Sequence, residues 1–66
     1  MNKDNVDRWI EDLKNPSFAE RMKAASALGK IGPAARDAIP ELNKLLEDKE
    51  EVPRNSARRA LSEIEK

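Results

Sequence analysis

This chain repeats itself, and that constrains its fold more than any other feature. A shift of 33 positions lays Val6 on Ile39, Trp9 on Leu42 and Leu13 on Leu46. The same shift lays Arg21 on Arg54, Ala24 on Ala57, Ala27 on Ala60, Leu28 on Leu61 and Ile31 on Ile64. Scattered identities arise by chance, but matches that fall on apolar stripes mark a structural unit used twice. The fold must therefore build the same short unit two times within 66 residues.

Each unit reads as a pair of helices. Val6, Trp9, Ile10 and Leu13 stand at i, i+3, i+4 and i+7, one face of a helix. Asp4 suits the positive end of that helix, and Asn15-Pro16 stops it. Ser17 and Glu20 have the spacing of a capping box, in which each side chain bonds the other's backbone amide. The helix they open carries Phe18, Met22, Ala25, Leu28 and Ile31, with Ala24 and Ala27 small enough for close packing. Gly32 supplies a left-handed cap and Pro33 blocks continuation. Residues Pro33–Asp37 form a short helical turn, followed by a helix from about Ala38 to Glu47 with Pro40 in its first turn. Ile39, Leu42, Leu45 and Leu46 are its stripe, and Glu47–Glu51 is a charged turn. The last helix starts near Val52 or Pro53 and ends near Ile64, with Ala57, Ala60, Leu61 and Ile64 as its apolar positions.

The expectation is one all-α domain over residues 1–66. Four helices form two stacked antiparallel hairpins, residues about 4–32 and about 33–66, as a short α-solenoid. Its expected core is Trp9, Ile10, Leu13, Met22, Ala25, Leu28, Ile31, Ile39, Leu42, Leu46, Ala57, Leu61 and Ile64.

Composition narrows what such a unit does. Thirteen Lys and Arg balance thirteen Asp and Glu, which argues against general binding to nucleic acid or anionic membrane, since both demand excess positive charge. No cysteine and no histidine are present, which removes the disulfide and the usual metal staples, so no cofactor or metal is expected. The absence of cysteine and of a long apolar run points to a soluble, cytoplasmic protein. Ser17, Ser26, Ser56 and Ser62 have no histidine to activate them. Ser26 and Lys30 sit at i, i+4, which permits a Ser-Lys dyad, although a solvated helix face is the plainer reading. The acids Glu47, Asp48, Glu50 and Glu51 lack the alternation and central glycine of a calcium loop. No catalytic residue is assigned.

The run RMKAASALGKIGP from Arg21 to Pro33, with the AARDAIPEL that follows, resembles HEAT repeats of the bacterial, phycobilin-lyase-like kind. Those repeats carry an Asp before the second helix, an Arg six residues on, then Ala-Ala-x-Ala-Leu-Gly-x-Ile-Gly. Asn15 with Arg21, and Asp48 with Arg54, occupy the first two positions here. Glu20 and Pro53 replace a valine of the pattern, Arg58 an alanine, and Ser62 and Glu65 its glycines.

The resemblance implies a structural ladder of Arg21, Asp48 and Arg54, in which Arg21 reaches Asp48. It also implies a non-enzymatic protein-binding or scaffold module. Alternatives are a self-assembling unit, a fragment or design drawn from a longer array, and an accessory subunit of an enzyme such as a chromophore lyase. Arg54, Arg58, Arg59 and Trp9 are the candidate binding face. The apolar first helix points to a homodimer through the N-terminal hairpin.

Overall fold

The computed structural model describes residues 2–66, with side chains from Asn5 onward. The Asp4 side chain, expected near the first helix terminus, lies outside the described residues. Helix α1 spans Asn2–Asp12 and α2 spans Phe18–Ile31. A 3₁₀ segment, Gly32–Ala38, leads directly into α3, Ile39–Leu45, and α4 spans Glu51–Ile64. No strand occurs among the described residues.

The repeat seen in the sequence recurs in backbone hydrogen bonds. The Leu13 amide donates to the Trp9 carbonyl at 3.0 Å, and the Leu46 amide to Leu42 at 3.2 Å. Lys14 to Glu11 and Asn15 to Asp12 recur as Glu47 to Lys44 and Asp48 to Leu45, all between 3.0 and 3.1 Å. Both first helices thus end in the same tightened turn, of the kind that satisfies orphan carbonyls.

Prolines and one glycine set the boundaries. Pro40 lies at the start of α3 and Pro53 in the first turn of α4, where a missing N–H costs nothing. Gly32 ends α2 with φ 79° and ψ −147°, outside the left-handed helical well expected for it but in backbone open to glycine. Its amide donates to the Leu28 carbonyl. Ala35, at φ −97° and ψ 24°, then bends the 3₁₀ segment.

Helix α2 packs most extensively on α4; α3 also packs on α4, and α1 on α2. Small residues make this possible. Ala24, Ala25, Ala57 and Ala60 are buried where α2 and α4 carry their inward faces, alongside Leu28, Leu61 and Ile64. Leu13, Leu42 and Val6 extend the core, and Ala35, Ala38 and Leu45 complete it.

The expected core needs correcting at its edge. Trp9, Ile10, Ile31, Ile39 and Leu46 are half-buried and flank the core, while Met22 is also half-buried. Phe18, placed on the apolar stripe of α2, is 46% exposed. The helices approach closely enough that alanines share the centre with Leu28, Leu42 and Ile64, and Trp9, Ile10 and Met22 stay at its edge.

The expected capping box is also absent. Ser17 takes the extended backbone of an N-cap, but its side chain makes no cap hydrogen bond. Asn15 replaces it as the organising residue: its Oδ1 accepts the Ser17 amide at 2.9 Å.

Candidate functional site

Two geometries stand out, a ladder of polar contacts along one end of the helices and a groove between α2 and α4. The ladder begins in the inter-helix turns. Asn15 Oδ1 accepts the amide two residues on, and Asp48 Oδ1 accepts the Glu50 amide at 2.8 Å. These are the same side-chain-to-backbone turn at equivalent positions.

An arginine then reaches back six residues to each turn. Arg21 Nη1 donates to the Asn15 carbonyl at 2.6 Å and to the Pro16 carbonyl at 3.0 Å. Arg54 Nη1 donates to the Asp48 carbonyl at 2.8 Å.

Among the described residues, one charge pair joins α2 to the turn before α4. Arg21 Nε lies 2.8 Å from Asp48 Oδ2, with only 13% and 11% of the two side chains exposed. Nη2 donates to Asp48 Oδ1 at 3.4 Å. The Nε–H is not aligned on its oxygen and has no other partner, so attraction between the charges dominates that contact. Arg54 forms no ion pair among the described residues, and neutral Asn15 has none to form.

The groove is built by close approach. A Cβ on Gly29 would stand 3.1 Å from the Ala60 Cα, so the missing side chain at Gly29 allows α2 and α4 to touch. Above this floor opens a hollow of about 350 Å³, within the range of small binding clefts. Ser26 and Lys30 rise from α2, and Ser56, Arg59 and Glu63 from α4. Glu63 is held by Lys66 at 2.9 Å.

The arginines expected to act together are divided. Arg54 is half-buried and tied to the turn, Arg58 is exposed and bonds Asn55 Oδ1 at 2.8 Å, and Arg59 alone faces the groove. Trp9 is half-buried and lines a separate hollow with Asn5, Arg8, Asp12, Glu20 and Lys23. Ser26 and Lys30 share the groove but are not hydrogen-bonded to each other among the described residues. Sequence reasoning missed Lys30, Ser56 and Glu63 as one site. The available signal was Gly29 and Ala60, small residues on the inner faces of helices one repeat apart.

Among the described residues, no group of three acids is placed to hold a metal ion, and no helix is long and apolar enough to cross a membrane. Successive helices that pack through a turn ladder define an α-helical repeat protein. The chain matches the family model of HEAT repeats over residues 2–66 and belongs to that family. No curated protein and no solved structure gives a match.

Proposed function

We propose that this chain is a non-enzymatic protein-binding module of two stacked helical hairpins, residues about 4–32 and about 33–66. HEAT repeats generally mediate protein–protein contact or scaffolding. The observation that carries the reading here is the groove on α2 and α4, the second helix of each hairpin. Stacked repeats use such a surface as an extended binding face. The Arg21–Asp48 contact gives that face a fixed shape, because it ties the α2 end of one hairpin to the turn of the next. Kinship with the phycobilin-lyase-like repeats rests on sequence motifs, chiefly the run from Arg21 to Leu42, and fold likeness does not extend it to lyase activity.

A photo-crosslinking residue at Ser26 or Ser56 tests this in cells. One discrete protein should be captured there, and not from Arg36 or Asp37 on the 3₁₀ segment. Equal capture from both faces would remove the groove as the binding surface.

A homodimer through the N-terminal hairpin is the weaker reading. Its support is Phe18, 46% exposed. Val6 and Leu13, half of the stripe that motivated it, are already buried within the chain.

A further inference from the structure

We propose that the α2–α4 groove takes an acidic segment of the partner protein, whose carboxylates are received by Lys30 and Arg59. This rests on the protein-binding reading and names the chemistry of the partner.

The groove has one cation on each wall, Lys30 on α2 and Arg59 on α4. Neither forms an ion pair among the described residues. Arg8, Lys23, Arg36 and Lys49 are likewise without an ion pair among the described residues; what sets Lys30 and Arg59 apart is that they face one another across a single groove. The groove's own acid, Glu63, forms its ion pair with Lys66 and none with either of the two cations.

Ser26 and Ser56 place one hydroxyl on each wall, able to donate to a carboxylate or to a peptide carbonyl. The floor of Gly29 against Ala60 presents no bulky side chain, so a ligand backbone would lie close to the helices. Arginine and lysine facing a partner's carboxylates form charge-assisted hydrogen bonds, stronger than neutral ones. Because the chain as a whole has no net charge, attraction should be local to this face and should weaken with salt.

Titration of isotope-labelled protein with an oligoglutamate peptide at low ionic strength tests the idea, with oligolysine as the control. Amide shifts should concentrate at Ser26, Gly29, Ser56 and Ala60. Lys30→Glu with Arg59→Glu should weaken binding at least about tenfold. Lys23→Glu with Lys49→Glu makes the same change in net charge away from the groove and should leave affinity within about twofold. Lys30→Gln with Arg59→Gln should fall between, and guards against misfolding from charge reversal.

Shifts scattered over the surface, no binding, or equal losses from both charge-reversed variants would overturn the proposal. A discrete partner captured from Ser26 or Ser56 whose yield survives Lys30→Glu with Arg59→Glu would keep the protein-binding reading and remove the acidic one. Loss of that capture only in the groove variant supports both.

Discussion

Gly29 and Gly32 answer to different physics, and single substitutions separate them. Gly32 has open space where a Cβ would go, but its φ of 79° is one that other residues rarely adopt. Gly32→Ala should therefore cost about 1–3 kcal/mol through backbone strain alone. Thermal unfolding checks this, and an unchanged melting temperature would mean that α2 ends differently. Gly29 is the reverse case: ordinary helical backbone, but Ala60 Cα at 3.1 Å from an added Cβ. Gly29→Leu gains about 1 kcal/mol of helix propensity. It should still destabilise by about 1–3 kcal/mol, because the helices have no room to receive it. The Arg21–Asp48 pair is the third residue-scale case. With 13% and 11% of its side chains exposed, it should couple by about 1–2 kcal/mol in a double-mutant cycle with Arg21→Ala and Asp48→Ala. Lys44–Glu41, with Lys44 77% exposed, should couple by no more than about 0.5 kcal/mol. Equal coupling in the two cycles would show that burial gives the first pair no advantage.

At the scale of the helices, two hold the structure together: α4 contacts α3 and the 3₁₀ segment, and α2 packs most extensively on α4 while also contacting α1 and the 3₁₀ segment. Leu28 sits at 0% exposure in the middle of α2. Leu28→Ala should cost about 2–5 kcal/mol, and a cooperative melt close to wild type would show that the cavity is not where the packing places it. The helices themselves were legible in the sequence because stripes, prolines and the 33-residue match all agree on them. Other features were not, for two physical reasons. In the turn before α2 the expectation fell on Ser17 as the cap, and only the backbone direction decides that Asn15 instead bonds the Ser17 amide. The core list favoured large residues, yet Ala35, Ala38 and Ala60 are buried while Trp9 and Ile10 are only half-buried. Periodicity ranks faces of one helix, whereas the distance between two helices decides which side chains fit between them. The groove was hidden for the same reason: Lys30 and Arg59 become neighbours only when α2 and α4 are laid side by side.

For the whole molecule, the question is whether a unit this small stands alone. The apolar stripe of α1 suggested a second copy as its cover. Within the chain, however, Val6 and Leu13 are already enclosed, and the large apolar side chains exposed among the described residues are Phe18 and Val52. A stable interface buries about 800 Å² on each partner. The total surface of this chain is 4373 Å², so a dimer would have to cover close to a fifth of it. The surface around Trp9 is lined by Asn5, Arg8, Asp12, Glu20 and Lys23, polar groups that such a seam would have to desolvate. Lateral stacking in the register of the ladder is blocked as well. Ser62 and Arg58 occupy the positions of Gly29 and Ala25, so a helix added beyond α4 would meet side chains where α4 itself meets none or a methyl. Sedimentation equilibrium should therefore give the monomer mass at high micromolar concentration, with a melting temperature independent of concentration. Phe18→Glu should change neither result. A dimer mass that Phe18→Glu abolishes would show instead that this one aromatic anchors an interface, and would make self-association the primary role of the N-terminal hairpin.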